Sequence, residues 1–118
     1  MAVDNTDAVV VLITAGSREE AARLALMLVG ARLAACVQIM PEMESVYRWE
    51  GAVQRETEVL LLAKTLRGNF AELERKVRAL HSYETPEIIA LPVVAASMPY
   101  IEWLNTNTLG FSESDAST

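Results

Sequence analysis

One cysteine and one histidine are all that this 118-residue chain holds of thiol and imidazole ligands. A lone Cys36 excludes an internal disulfide, so the fold must stand on its core, and a reducing cytoplasm is the expected setting. Basic residues are scarce as well: 10 Lys and Arg face 16 Asp and Glu, a net charge of −6. Such a balance argues against binding a phosphate backbone. No apolar run nears the ~18 to 20 residues that a membrane-spanning helix needs. Residues 1–7, Met-Ala-Val-Asp-Asn-Thr-Asp, lack the basic start of a secretory signal. Neither nucleic acid nor a membrane is therefore an expected partner. What is abundant is apolar, 52% of all residues, and that surplus points to an interface between subunits.

Taken in order, residues 8–14 are a continuous run rich in β-branched side chains, as a central strand buried on both faces requires. Ser17 and Glu20 stand at capping-box spacing and open a helix to about Val29. Ala21, Leu24, Ala25 and Leu28 share one face of it, and Gly30 is placed to end it. Residues 33–40 alternate as a second strand, with Leu33, Ala35, Val37 and Ile39 towards the helices and Ala34, Cys36, Gln38 and Met40 on the other side. Pro41 interrupts this arm before residues 46–49 resume it. Glu50 and Gly51 form the turn of a long hairpin, Gly51 supplying a positive φ. The third strand, residues 56–65, is apolar on both faces, so both need cover. Phe70, Leu73, Val77 and Leu80 recur at helical spacing, with Asn69 and Glu72 as an N-cap pair. A polar connection over residues 81–87 leads to a fourth strand, residues 88–95, which Pro92 makes an edge strand or ends in a bulge. Pro99 opens a short third helix over Tyr100, Ile101, Trp103 and Leu104, where Trp103 is expected to pack.

The order is βαββαβ with an added C-terminal helix. Right-handed crossovers make this an α+β, ferredoxin-like plait with a long hairpin between the second and third strands. The domain spans residues 8–109, between a flexible lead-in over 1–7 and a flexible tail over 110–118. Both main helices then lie on one face of the sheet. The other face carries Val10, Leu12, Cys36, Met40, Leu60 and Leu62, and association of several subunits is expected to cover it, with the hairpin arms pairing across the edges.

Four segments now stand together: Leu33-Ala-Ala-Cys-Val37, Ser45-Val-Tyr-Arg-Trp-Glu-Gly51, Glu58-Val-Leu-Leu-Leu-Ala-Lys-Thr65 and Tyr83-Glu-Thr-Pro-Glu-Ile-Ile-Ala-Leu-Pro-Val93. In this order they resemble the CutA family of divalent-cation tolerance proteins, over roughly residues 8–109. The resemblance implies a ferredoxin-like subunit, a tight homotrimer shaped like the PII signalling proteins, a cytoplasmic location, and a link to copper and other divalent cations. It implies no catalytic reaction and no required cofactor. One departure is Ser82, where family members usually carry proline after the histidine, and a looser loop around His81 is the expected result.

Cys36 and His81 are the soft and imidazole ligands, and with Glu84 they form the candidate metal set. One thiolate and one imidazole are too few for a closed site in one subunit, so metal uptake would draw on several. A second constellation is Tyr47, Trp49, Lys64, Tyr83, Glu84 and Glu87, which the resemblance sets near grooves between subunits. Lys64, one of two lysines, lays its stem on an apolar face. It is expected either to pair with Glu84 or Glu87, or to belong to a group that binds an anion or a cation. A Cys-x-x-Cys metallochaperone loop is absent, the strand aromatics of an RNA-recognition domain are absent, and Cys36 has Ala35 and Val37 rather than a base beside it. The expected function is a non-enzymatic homotrimer of divalent metal, chiefly copper, tolerance. The alternative is a PII-like protein that binds a small anionic ligand in the inter-subunit groove through Lys64. A downstream protein partner carries no signature in the chain.

Overall fold

The computed structural model describes residues 2–4 and 7–109 of the chain. Its elements are β1 (Ala2–Asp4), β2 (Ala8–Ala15), α1 (Arg18–Gly30), β3 (Cys36–Ile39), β4 (Met43–Trp49), β5 (Ala52–Leu66), α2 (Phe70–Leu80), β6 (Ile88–Pro92), β7 (Ala95–Ser97) and α3 (Met98–Thr106). The main sheet is antiparallel with strand order β3-β5-β2-β6, and β4 also pairs with β5. With α1 and α2 on one face, this is the expected ferredoxin-like plait.

The register explains which residues form the core. Val11 lies opposite Ala63 and Ile13 opposite Leu61 across β2 and β5, and all four are fully buried. They meet Ala21, Leu24 and Leu28 of α1 and Leu73 and Val77 of α2 in one cluster. The alternate residues face the other way, because successive strand side chains point to opposite sides. Cys36, Lys64, Val10 and Leu91 form one row across that open face, and Gln38, Leu62, Leu12 and Ile89 the next. Ile89 and Leu91 are each nearly half exposed. At one end α3 covers this face, where Leu104 and Ile101 pack on Ala8 and Leu66.

β5 is 15 residues long, and only its second half lies in the main sheet. Its first half pairs with β4 alone. The pair forms an arm closed by Glu50 (φ 49°) and Gly51 (φ 81°), the two positive φ values of a type I′ turn. The arm stretches the molecule to 45 × 32 × 26 Å with a radius of gyration of 15.0 Å, above the about 13.5 Å of a compact domain of this length.

Several local expectations change. α1 ends at Gly30 with Ala31 as its C-cap, so the glycine marks the end without being the cap. Arg32 takes the left-handed position (φ 61°), while the Leu33 and Arg32 N–H groups donate to Leu28 O and Val29 O in a Schellman arrangement. The Arg32 guanidinium also donates to Thr106 O at 2.6 Å, tying α1 to α3. Leu33 and Ala34 are buried but precede β3 rather than belonging to it. Asn69 makes no cap bond. It turns inward, donating to Thr65 Oγ1 at 3.1 Å, which donates to Leu33 O at 2.6 Å. Leu80 is exposed rather than packed, and Trp103 is 43% exposed, its ring 5.5 Å from that of Tyr100. Pro92 ends β6, an edge strand as its missing N–H requires; the Val93 N–H still donates to Ala8 O at 3.1 Å, and the next strand is β7. The expected flexible segments fall largely outside the described residues, as 110–118 do. Within the lead-in, however, Ala2–Asp4 pair antiparallel with Ala95–Ser97.

The packing ranks two leucines. Leu61→Ala empties a fully buried position and is expected to cost about 2–5 kcal/mol. Leu26→Ala changes a side chain that is 75% exposed and is expected to stay within about 0.5 kcal/mol. Urea denaturation of the two variants beside the parent chain checks the order.

Candidate functional site

The loop over residues 81–87 has no regular backbone, and side-chain bonds hold it to the plait. Ser17 caps α1 as expected, accepting from the Glu20 N–H at 3.1 Å. The Glu20 carboxylate does not return to Ser17. One oxygen accepts from the Gly16 N–H at 3.1 Å, and the other accepts from the Ser82 N–H at 2.7 Å. Burial alone would raise the Glu20 pKa, but the Ser82 and Gly16 donors outweigh it and hold the carboxyl below its ordinary value. His81 is buried beside it, Nδ1 3.6 Å from the carboxylate. That nitrogen accepts from the Tyr83 N–H at 3.0 Å. It therefore carries no proton, and Nε2 donates to Thr14 O at 2.7 Å. Both ring nitrogens are committed.

This latch aims Tyr83 into a cleft of about 630 Å3 at the base of the hairpin arm. The register puts Ser45, Tyr47 and Trp49 of β4 on the same face as Glu56 and Glu58 of β5, and the loop supplies Tyr83, Glu84 and Glu87 opposite. The Tyr83 hydroxyl donates to Glu58 Oε2 at 3.0 Å. Burial first, and then that carboxylate, push the Tyr83 phenol well above the ordinary tyrosine range. Tyr47 is pushed up in the same direction by desolvation and by Glu56. Gly16 lies under the ring: a Cβ there would sit 3.1 Å from the Tyr83 hydroxyl oxygen. Four glutamates and no lysine or arginine line the cleft.

Of the expected residues, the fold brings together Tyr47, Trp49, Tyr83, Glu84 and Glu87. Lys64 does not join them. It shares their sheet face but lies roughly six residues, ~20 Å, along β5 from Glu58, where its ammonium donates to Gln38 Oε1. Neither Glu84 nor Glu87 pairs with it. Cys36, half-buried, lies opposite Lys64 at the same end. Cys36, His81 and Glu84 thus do not meet within one chain, and no group of three or more His, Cys, Asp or Glu able to hold a metal occurs among the described residues. The Ser82 N–H, a donor that proline lacks, bonds the Glu20 carboxylate and ties the loop to α1. Thr14, Glu56 and Glu58 were not foreseen as site residues. The signal for the two glutamates was their alternation with Leu60 and Leu62, which sets charges on an otherwise apolar face.

An antiparallel ferredoxin-like plait with a projecting arm and an acidic, aromatic cleft at its base is the class that fold and site define. The family model for the CutA1 divalent ion tolerance protein matches residues 9–107. The divalent-cation tolerance protein CutA of Thermus thermophilus is 50% identical over 99 residues, covering 84% of this chain and 96% of that protein. The chloroplastic CutA of Arabidopsis thaliana is 46% identical over 100 residues, 85% of this chain and 55% of that protein, so the chain spans about half of the plant relative. Among solved structures, the Thermus thermophilus divalent cation tolerance protein gives a TM-score of 0.84 at 48% identity over 86% of this chain and 98% of its own. CutA from Synechococcus elongatus gives 0.86 at 36% identity over 91% and 95%. The chain belongs to the CutA1 family of divalent ion tolerance proteins. No helix among its described residues is long and apolar enough to cross a membrane.

The latch carries a pH signature. A depressed folded-state pKa means that the ionised Glu20 stabilises the fold above its unfolded value, 4.5, and that this contribution is lost as pH falls through the lower folded value. Glu20→Gln removes that titration. Urea midpoints measured from pH 6 down to about pH 3 are expected to fall less steeply for Glu20→Gln than for the parent, with the variant less stable at pH 6.

Proposed function

We propose that the chain works as a homotrimer in the cytoplasmic response to divalent metal ions, with copper the favoured ion, and that it catalyses no reaction. The metal half of this reading is carried by one observation: the cleft at the arm is lined by Glu56, Glu58, Glu84 and Glu87 and by no basic side chain. Such a surface attracts cations, and first-row divalent ions favour copper in affinity at a given oxygen or nitrogen site. The relatives' names, divalent-cation tolerance proteins, agree with it. His81 has no free nitrogen to offer, so the ligands would come from carboxylates such as Glu84 and from the Cys36 thiolate. With no converging set in one chain, the coordination is completed between subunits. The open apolar face and the arm that pairs on one side only support the assembly. Within one chain Lys64 lies far from the cleft, so the anion-binding alternative would draw on Lys64 of a neighbouring subunit.

Native mass spectrometry of the metal-free protein tests both halves. A three-chain species is expected that takes up Cu(I) or Cu(II) in a fixed ratio, reduced at least about tenfold in affinity by Cys36→Ala or Glu84→Gln. A monomer, or a trimer whose copper uptake is the same in both variants, would overturn the reading.

A further inference from the structure

The helical layer carries an apolar surface that its own packing leaves bare. α1 buries Ala21, Leu24 and Leu28 in the core, yet Leu26, on the opposite side of the same helix, is 75% exposed, and Val29 is 42% exposed. With about 100° of turn per residue, both share the outward stripe with Arg18, Glu19 and Arg23. The stripe is apolar towards its C-terminal end and charged towards its N-terminal end, where Arg18 and Arg23 form no ion pair among the described residues. It points away from the open sheet face, so subunits that meet across that face leave it uncovered.

The end of the described chain supplies an occupant. After α3 the backbone returns to the C-terminal end of α1, where the Leu109 N–H donates to Arg32 O at 2.9 Å and the Arg32 guanidinium holds Thr106 O. From this anchor the chain continues as Gly110-Phe-Ser-Glu-Ser-Asp115, beyond the residues 9–107 that the family model matches. Its chemistry follows the order of the stripe, an aromatic ring first and carboxylates after it. The lengths agree too. An extended chain sets Phe111, Glu113 and Asp115 about 7, 13 and 20 Å from Leu109, and the helical rise sets Leu26, Arg23 and Arg18 about 9, 14 and 21 Å back from Arg32. Carboxylates carried towards the N-terminal end of α1 also meet the favourable end of its dipole.

We propose that residues 110–115 dock on the outward stripe of α1 in their own chain, as a strap that covers Leu26 and Val29. Phe111 lies against these two side chains, and Glu113 and Asp115 reach Arg23 and Arg18. The anchor at Leu109 is what lets so short a segment bind, because a short tether holds it at an effective concentration on the order of millimolar. Only a few residues must be ordered, which keeps the entropic cost small. The docked strap closes the apolar end of α1 to other chains, and its release opens it. The inference stands apart from the metal reading, since it involves neither the arm nor the loop over residues 81–87.

Methyl NMR of the whole chain in its native assembly, labelled at leucine and valine, tests it. The Leu26 and Val29 methyl signals are expected to show nuclear Overhauser contacts to the Phe111 ring, and both signals are expected to move when the ring is removed by Phe111→Ala or when the chain is stopped after Leu109. The signals of Leu61 and Val77, buried in the core, stay in place in both variants and report an intact fold. Arg18→Gln with Arg23→Gln, read against the same pair in the stopped chain, is expected to reduce the ring-induced shift by about half or more. Mixed assemblies separate the strap from a neighbour's tail: labelled chains stopped after Leu109 keep unshifted Leu26 and Val29 signals beside unlabelled whole chains. Identical Leu26 and Val29 signals in whole and stopped chains, a ring contact on Leu60 and Leu62 instead, or a shift in the labelled stopped chains of mixed assemblies would overturn the proposal.

Discussion

The continuity of β5 is the constraint on which the rest of the molecule depends. As one unbroken strand it passes from the arm, where only β4 pairs with it, into the sheet, where β2 and β3 flank it. Because side chains alternate, the strand carries two programmes at once. Val59, Leu61 and Ala63 enter the core beneath α1 and α2. On the opposite face the same strand presents Glu56 and Glu58, then Leu60 and Leu62, then Lys64. An acidic end, an apolar middle and a basic end thus succeed one another on a single surface, at ~6.6 Å intervals. A shift of one residue in the pairing with β2 would exchange core and surface along the whole strand, so the buried half fixes the position of the exposed half. The cleft is placed by the core that lies next to it.

The other wall of the cleft is irregular and owes its position to one carboxylate. Glu20 sits in the first turn of α1, where the helix dipole favours negative charge, and it reaches across to the Ser82 N–H and back to Gly16. His81 continues the chain of bonds from Thr14 on the central strand to the Tyr83 backbone. Strand, helix and loop are therefore joined by polar bonds at a place where they share little apolar contact. Their value comes from burial: these groups lie out of water, so each unmade bond would cost about 1–3 kcal/mol. Ser82 matters here by having a backbone N–H at all, which a proline in its place would remove.

What the chain revealed beforehand divides along the range of the interactions. Alternation in residues 56–65 and the spacing of Leu24, Leu28, Leu73 and Val77 are local, and they assigned the core, the open face and the ferredoxin-like order. Ser17 was legible for the same reason, its cap bond spanning three residues. Gly30 marked the helix end to within a residue, but the left-handed position fell to Arg32, whose guanidinium is anchored on Thr106. Asn69 misled because a short polar side chain before a helix has two uses, and an inward bond to Thr65 replaced the cap. Glu20 matched a local capping box, yet its partners include Ser82, 62 residues away, a distance over which pattern reading is blind. The cleft residues of the arm and loop were assembled from family likeness, while Glu56 and Glu58 stood in plain alternation beside Leu60 without being read as lining.

The division of the open face also limits how copies of the chain can meet on it. Apolar rows through Leu62 and Leu12 gain from being covered, at about 25 cal/mol per Å2 of apolar surface. Carboxylates lose on burial unless a cation comes with them. A second copy that covers Leu60 and Leu62 therefore gains steadily until it reaches Glu58, and beyond that point each further contact must neutralise a charge. Neither arginine of the arm does so: Arg55 is paired with Glu44, Arg48 donates to Gly51 O, and both belong to the other face. The boundary between surface that gains from cover and surface that loses by it therefore falls on a single strand, between Glu58 and Leu60.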